Sequence, residues 1–179
     1  MEERIKNLNK ICIIGGSGTG KTTLSNNLSK ELELPVLHID GVHHLPNWEV
    51  RDKDERDKII LDKVKEDKWI IDGTYKSTLA ERVQNADKVI FLDYSMPVRM
   101  KGVVGRCIKN RGKELADIPG CVEHLNLFLV KLVLKFKKEK RPGIIEVINK
   151  VDKDKVLIFK NRRALNKWFK MEFNKKMEV

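Results

Sequence analysis

The 179-residue sequence has few cysteines, few aromatic residues and no long apolar run. Its three cysteines are scattered without a Cys-x-x-Cys pair, which argues against a disulfide framework or a zinc site and favours the reducing cytoplasm. No apolar run approaches the roughly 20 residues of a membrane helix. Only residues 11–14 are apolar after the charged first ten, so we expect no secretory leader. Aromatic residues amount to 6%, few for a protein that stacks nucleic-acid bases.

An excess of acidic residues is also absent. Lys and Arg total 37 against 26 Asp and Glu, a net charge of +11. The charge is uneven, because residues 1–95 carry net −2 and residues 96–179 carry net +13. This balance leaves three classes of partner, namely nucleic acid, an anionic membrane surface or phosphorylated small molecules. Hydrophobic residues make up 41%, enough for the core of a folded domain.

Short apolar runs alternate with longer amphipathic segments along the chain. The expected strands are 10–15, 35–40, 69–73, 88–94 and 155–160, and the expected helices are 20–33, 52–66, 97–110, 121–140 and 162–176. Strands that are apolar throughout indicate a parallel sheet covered on both faces. We therefore predict a three-layer α/β fold, open rather than a barrel, that forms one domain over 1–179. The polar segment 109–120 predicts a mobile loop or lid.

The strongest motif is GGSGTGKT at 15–22, which fills the pattern Gly-x-x-x-x-Gly-Lys-Ser/Thr between a strand and a helix. Its glycines let successive N–H groups point inward as an anion nest, and the helix adds the positive end of its dipole. Lys21 is expected at the β- and γ-phosphates of a nucleoside triphosphate, and the Thr22 hydroxyl at Mg²⁺. The predicted nucleotide-binding residues are Gly15, Gly16, Ser17, Gly18, Thr19, Gly20, Lys21, Thr22 and Thr23.

Three predicted strands end in an aspartate, at the sheet edge where open α/β folds bind ligands. Asp72, in WIIDG, has the form of a carboxylate that holds Mg²⁺ or orients the acceptor. Asp40 is expected either to accept a proton from an acceptor hydroxyl or to start an Asp-Gly turn. For Asp93 we favour a structural role.

The segment after Asp40 is rich in histidine and aromatic residues. Because His43 and His44 have no third ligand at useful spacing, we expect pocket or solvent-facing imidazoles rather than a metal site. Trp48 is expected to line the acceptor pocket or to belong to the core. Arg82, which follows the third strand, is expected to hold an acceptor phosphate or to pair with a surface residue.

Arginines flank the polar segment 109–120. Phosphoryl transfer needs positive charge on the moving group, and arginine supplies it as a rigid fork of donors. Arg106, Arg111 and Arg141 are therefore expected on a closing lid that excludes water, the alternative being a solvated basic face. After the last strand, Asn161 and Arg162 are expected either to contact adenine or simply to start a helix.

Seven segments together carry a family likeness: GGSGTGKT (15–22), Asp40 followed by PNW (46–48), WIIDGTY (69–75), VIFLDYS (89–95), GRCIKNRGK (105–113), KEKRP (138–142) and VLIFKNRR (156–163). They resemble the P-loop kinases related to adenylate kinase and, more narrowly, the bacterial DNA topology modulation proteins of that superfamily. The likeness runs over nearly the whole chain. The phosphate loop marks the superfamily, whereas WIIDG-x-Y and NRGK are more specific to the subgroup.

The resemblance implies a five-stranded parallel sheet in the order 2-3-1-4-5. It also implies an acceptor-binding region at about 40–66 and a short helical lid at about 106–141. Asp72 corresponds to the carboxylate of the third strand, and the three lid arginines match arginines that enter and leave the lid.

One motif departs from the family pattern. This chain has DGTYK at 72–76 where true adenylate kinases have acid-Gly-Phe-Pro-Arg. The arginine that binds the AMP phosphate is therefore not at its usual position, and Lys76 or Arg82 would have to substitute for it.

These observations predict a kinase that transfers the γ-phosphoryl group of ATP, with Mg²⁺, to a nucleotide, a nucleoside or a hydroxylated metabolite. The predicted site residues are Lys21, Asp40, Asp72, Arg106, Arg111 and Arg141 for catalysis, Thr22 and Asp72 for the metal, Asn161 and Arg162 for the nucleotide, and Asp40, Trp48, Lys76 and Arg82 for the acceptor. Two alternatives stay open, a nucleic-acid-associated protein that influences DNA topology and a regulatory NTPase. We expect no membrane partner, and a monomer or a homodimer.

Overall fold

A five-stranded parallel sheet forms the centre of the protein in a computed structural model, which describes residues 5–123 and 127–178. Along the chain the elements are β1 Lys10–Gly15, α1 Lys21–Leu32, β2 Val36–His38, α2 Ile39–His43, α3 Lys53–Lys65, β3 Trp69–Asp72, α4 Leu79–Asn85, β4 Lys88–Leu92, α5 Met96–Lys109, β5 Glu114–Leu115, β6 Ile118–Val122, α6 Leu127–Glu139, α7 Arg141–Ile148, β7 Val156–Phe159 and α8 Arg162–Phe173. The sheet order is β2-β3-β1-β4-β7. This order confirms the prediction, with β7 as the fifth strand of the sheet.

Both faces of the sheet are covered, as continuous apolar strands require. Ile11 and Ile13 of β1 point to the face packed by α1 and α8, where Leu24, Leu28, Leu165 and Phe169 lie. Cys12 and Ile14 point to the opposite face, where α3, α4, α6 and α7 contribute Ile60, Val83, Phe136 and Ile144. Cys12 in β1 lies opposite Ile71 in β3 and Val89 in β4. The carboxyl ends of these strands therefore meet at one edge.

Within the lid predicted at about 106–141, residues 114–122 form a hairpin rather than a loop, between helices α5 and α6. Residues 124–126 of the predicted lid lie outside the described residues. Strands β5 and β6 pair antiparallel, and the hairpin buries Leu115, Ile118 and Cys121 against Trp48. Trp48 is far from the hairpin in sequence, and the residues of this cluster have no periodic pattern that would reveal their contact. The expected helix 121–140 begins only at Leu127, because its first two residues belong to β6.

Three further elements differ from the prediction, one strand boundary and two additional helices. Strand β2 stops at His38, so Asp40 lies in the first turn of the short helix α2 and not at a strand end. Helices α4 and α7 were not predicted, since each has only seven or eight residues and too few turns to show a clear apolar period. Helix α3 agrees with the prediction, and the Asp52 side chain caps it by accepting from the N–H groups of Asp54 and Glu55.

Among the described helices, none combines the length and apolarity that crossing a membrane requires.

Candidate active site

The loop between β1 and α1 has the shape of a phosphate nest. Gly18 and Gly20 have φ values of 79° and 90°, the left-handed region that glycine adopts without strain. The Thr19 side chain steadies the turn, since its hydroxyl donates to Gly16 O over 2.9 Å. A Cβ atom at Gly20 would meet no atom within 4 Å, so this part of the loop faces open space. The arrangement suits an incoming anion.

Helix α5 supports the other side of the loop. A Cβ atom at Gly18 would lie 2.1 Å from Arg99 O, and one at Gly102 would lie 2.0 Å from Gly18 O. Arg99 is buried behind the loop, where its guanidinium stacks 4.6 Å from the Phe136 ring centroid. Its Nη1 atom is buried and has no hydrogen-bond partner among the described residues. Two glycines in close backbone contact thus set the position of the loop.

Lys21 and Thr22 begin α1 beside this nest. Lys21 Nζ donates to Gly16 O over 3.4 Å, which folds the ammonium group over the loop. Thr22 Oγ1 donates to Asp117 Oδ2 over 3.2 Å. Asp117 lies in the turn of the lid hairpin, so the lid reaches the phosphate loop. Ser17 is half-buried in the loop, and Thr23 follows in the first turn of the helix.

Asp72 lies buried at the end of β3 with two side-chain partners. Ser25 donates to Asp72 Oδ2, and His38 Nδ1 lies 2.9 Å from the same oxygen. Burial alone lowers the pKa of His38, but the hydrogen bond and charge of Asp72 outweigh it and raise this pKa overall. The structure therefore brings Asp72 to the strand edge next to α1, as the sequence predicted, but already engaged with two residues that the sequence did not reveal.

Asp40 faces a group of half-buried rings. Tyr75 donates its hydroxyl to Asp40 Oδ1 over 3.1 Å. The ring centroids of His43 and Tyr75 are 4.9 Å apart, and those of His44 and Trp48 are 5.2 Å apart. Burial lowers the pKa of both histidines, which keeps them neutral at pH 7. We name these residues, Asp40, His43, His44, Trp48 and Tyr75, the acceptor wall, after the acceptor-binding region that the family resemblance implies at about 40–66.

Trp48 joins the acceptor wall to the lid. Its indole Nε1 donates to Val122 O over 3.1 Å, and its backbone N–H lies 3.3 Å from Cys121 Sγ. Trp48 has a φ of 64°, an uncommon conformation for a bulky side chain, which these contacts hold in place. Trp48 therefore contacts the hairpin β5–β6 through both its backbone and its indole ring.

Arg82 is in a different place from the one expected. It is 0% exposed, and it donates to Gly73 O over 3.0 Å and to Tyr75 O over 2.9 Å. A guanidinium that is fully buried and bonded to two carbonyls is not available to a substrate phosphate. The expectation of an acceptor-binding Arg82 is therefore wrong, and its role is to shape the loop after β3. Lys76 is exposed nearby.

The three predicted lid arginines have different surroundings, and two of them are paired with carboxylates of the protein. Arg106 Nε forms an ion pair of 2.7 Å with the buried Glu123 Oε2, without hydrogen-bond alignment. Arg141 binds Asp93 with two donors, Nε at 2.9 Å from Oδ1 and Nη2 at 2.9 Å from Oδ2. Burial would raise the pKa of Asp93, but the hydrogen bonds from Arg141 and Lys160 outweigh it and lower this pKa. Arg111 is exposed on the lid.

The segment after β7 meets the phosphate loop through one side chain. Arg162 Nη2 donates to Gly18 O over 3.2 Å. Asn161 caps α8, because its side chain accepts from Ala164 N over 2.8 Å. Of the two expectations for Asn161, adenine contact or the start of a helix, the structure shows the second. Both residues are exposed.

Several residues at this site were missed by sequence reasoning. Ser25, His38 and Asp117 reach the site through partners 34 to 95 positions away. Tyr75, by contrast, lies in the WIIDGTY segment (69–75) that carries the family likeness. Within the described ranges, no three His, Cys, Asp or Glu side chains group closely enough to hold a metal ion by themselves.

A family model described as an AAA domain matches residues 10–101, just over half of the chain. The chain belongs to this family. The matched segment of this AAA-domain protein runs from β1 into α5. It contains the phosphate loop, Asp40 and Asp72, and it ends before the lid.

Solved structures extend the likeness to the whole fold. The shikimate kinase of Acinetobacter baumannii, in complex with shikimate, matches with a TM-score of 0.58 and 17% identity over 97% of both chains. The gluconokinase of Sinorhizobium meliloti 1021 matches with a TM-score of 0.55 and 13% identity, over 93% of this chain and 90% of the other. At these identities the likeness establishes the fold, which is that of the P-loop kinases.

One curated protein matches a short segment. Adenylate kinase 2 of Synechocystis sp. (strain ATCC 27184 / PCC 6803 / Kazusa) is 48% identical over 33 residues. The match spans 18% of this chain and 18% of the adenylate kinase.

Proposed function

We propose that this protein is a phosphotransferase that moves the γ-phosphoryl group of ATP, with Mg²⁺, to a small acceptor. One observation carries the proposal. The phosphate nest of residues 15–22 opens beside Lys21 and Thr22, and the carboxylates of Asp72, Asp117 and Asp40 surround the same strand edge. Residues 1–179 act as one kinase-like domain, with the acceptor region at about 40–66 and the lid at about 106–141.

The loop residues fit a triphosphate. The left-handed glycines and the open side of Gly20 leave backbone N–H groups for phosphate oxygens, and α1 adds its dipole. Lys21 would leave Gly16 O to neutralise the β- and γ-phosphates. Arg162, which already contacts Gly18, lies beside the loop to border the nucleoside.

The residues present also fit Mg²⁺. The ion prefers oxygen ligands and usually shares them between one or two protein groups and the phosphates. Thr22 supplies a hydroxyl, and Asp117 and Asp72 supply carboxylates on that side. Mg²⁺ bound there would neutralise charge that develops on the transferred phosphoryl group. That a protein-only metal cluster is absent from the described residues agrees with such sharing.

Asp40 is placed to orient the acceptor. It lies in α2 with one carboxylate oxygen bound to Tyr75, so its position is fixed before an acceptor arrives. We expect it to accept the hydroxyl proton as the oxygen attacks phosphorus, while Trp48 and the histidine rings contact the acceptor body. The lid excludes water, and Arg106, Arg111 and Arg141 add positive charge once Arg106 and Arg141 leave Glu123 and Asp93.

The test is an acceptor screen with Mg·ATP, read as ADP release and as the mass of the phosphorylated product. Lys21→Ala is expected to lower kcat/KM by about 100-fold or more, because one preorganised charge at the transferred group is lost. Lys30→Ala is the matched control, since Lys30 is at the far end of α1 and pairs with Glu178. Equal turnover by wild type and Lys21→Ala would contradict the proposal.

A nucleic-acid function has one observation in its favour, the net charge of +13 on residues 96–179. If it operates, affinity for DNA should fall steeply with salt, with a log–log slope of about −0.9 per phosphate contact. Absence of DNA and RNA binding at low salt would remove this alternative, which includes an effect on DNA topology.

A further inference from the structure

We propose that the acceptor is an uncharged, hydroxyl-bearing small molecule, and that the acceptor region disfavours phosphorylated and carboxylated compounds. The inference rests on the proposed phosphotransfer function and adds the chemical class of the acceptor. It depends on which charges around the acceptor wall are already engaged within the protein.

Enzymes commonly bind anionic substrates through arginine or lysine, whose donors match carboxylate and phosphate oxygens. In the described part of the chain, the three arginines that border the acceptor region are Arg51, Arg56 and Arg82. Each is engaged by the protein. Arg82 is fully buried on two carbonyls, and Arg51 donates to Val42 O over 2.8 Å and pairs with Glu55.

Arg56 contacts the side chains of two wall residues, and its donors are engaged by the protein. Its Nε and Nη2 donate to Asp57 Oδ1 over 2.9 and 2.6 Å, and its Nη1 lies 3.3 Å from His43 Nδ1. The guanidinium also stacks 4.8 Å from the centroid of the Tyr75 ring. Burial would raise the pKa of Asp57, but Ser77 and Arg56 outweigh it and lower this pKa, so the carboxylate is charged. The pair is therefore electrically neutral.

Lys76 is a cation that follows Tyr75 of the wall in the chain. It is exposed, and its charge acts on Glu146 of α7, where it adds to the effect of the Lys150 hydrogen bond in lowering the pKa of that carboxyl.

Negative charge, by contrast, borders the wall from two elements. Asp40 belongs to α2, and the lid brings the backbone of Asp117 against Gly41, where a Cβ atom would lie 2.3 Å from Asp117 O. The Asp117 carboxylate itself accepts from Thr22 Oγ1. The two histidines of the wall are neutral because burial lowers their pKa. An acceptor phosphate or carboxylate would meet like charge here, while the arginines of the acceptor region are already engaged within the protein. A hydroxyl would instead find a carboxylate that accepts its hydrogen.

The experiment compares matched acceptors that differ in charge: adenosine with AMP, glucose with glucose 6-phosphate, and shikimate and gluconate as acids. Turnover is measured with Mg·ATP, and binding is measured by calorimetry on the ADP complex. We expect kcat/KM and affinity to be at least tenfold higher for an uncharged member than for its charged counterpart. Asp40→Asn should reduce turnover yet tighten the binding of the charged members by about tenfold. Asp62→Asn, an exposed carboxylate of α3, should change neither.

The possible results separate the two proposals. A preference for AMP, shikimate or gluconate, or a panel in which no uncharged member binds, would overturn the inference. So would unchanged anion affinity in Asp40→Asn. Phosphorylation of an anionic acceptor would leave the phosphotransferase proposal standing, whereas failure of the protein to bind ATP would overturn that proposal itself.

Discussion

The phosphate loop and the acceptor–lid face are built in different ways. The loop is one continuous stretch, 15–22, whose turns follow from its own glycines. The acceptor–lid face is assembled from distant segments: Thr22 meets Asp117 across 95 positions, and Trp48 meets Val122 across 74. A site formed by a short motif can therefore be identified from the sequence. A site formed by contacts between distant elements can be identified only once the fold is known.

The largest expected effect is on the stability of the protein, through the loop after β3 that Arg82 supports. Arg82→Ala leaves Gly73 O and Tyr75 O without their donor, so we expect the free energy of unfolding to fall by about 2–4 kcal/mol. Urea denaturation measures it, with Arg163→Ala, an exposed arginine of α8, as a control that changes it by less than about 0.5 kcal/mol. A stable Arg82→Ala variant with a raised acceptor KM would instead restore the substrate-binding role.

The next effect tests how α5 supports the loop. Gly102→Ala would place a Cβ atom 2.0 Å from Gly18 O, so the loop or the helix must move. We expect a loss of about 1–3 kcal/mol and weaker ATP binding. Gly105→Ala, in the same helix, meets nothing within 4 Å and should stabilise the protein by about 0.5–1 kcal/mol. If both substitutions stabilised the protein, the loop would not depend on this contact.

A smaller effect on stability is expected where Trp48 contacts the hairpin β5–β6. Trp48→Phe removes the hydrogen bond to Val122 O while keeping a ring in the wall, which should cost about 1 kcal/mol. Amides of β5 and β6 should then exchange with deuterium about fivefold faster, whereas those of β1 should not change. Unchanged exchange in the hairpin would mean that Trp48 does not hold the lid.

The smallest effect is a dependence of stability on pH. Because the folded-state pKa of His38 is raised above 6.5, its pairing with Asp72 stabilises the protein fully below about pH 6.5. This contribution is lost as pH rises through the folded-state pKa. The difference in unfolding free energy between wild type and His38→Gln should therefore shrink from pH 6 to pH 9, by urea denaturation at each pH. A difference that grows over this range would contradict the assigned shift.

Much of the fold was predictable because its signals are local. The five strands are short, continuous apolar runs, and the loop motif identifies β1 and α1, so the parallel sheet follows from them. The order of the strands was implied by the family resemblance. The hairpin β5–β6 was not predictable, because its buried residues Leu115 and Cys121 show no period and pack against Trp48 far away in sequence.

For the site, residue type was easier to anticipate than orientation. Asp72 lies at the predicted edge, but a sequence cannot show that Ser25 and His38 occupy its Oδ2 atom. Arg82 shows the same limit, since a surface arginine and a buried one look identical in sequence. The burial and partners of Arg82 depend on how α4 packs against β1 and the loop after β3, which only tertiary contacts determine.

The central claim is that the backbone of the phosphate loop binds the polyphosphate of ATP. The most direct measurement is a titration of the ¹⁵N-labelled protein with Mg·ATP, followed through its backbone amide resonances. We predict that the largest shifts occur at Gly18, Gly20, Lys21 and Thr22, and that inorganic triphosphate reproduces them. Binding that leaves these amides unchanged while shifting others would contradict the account.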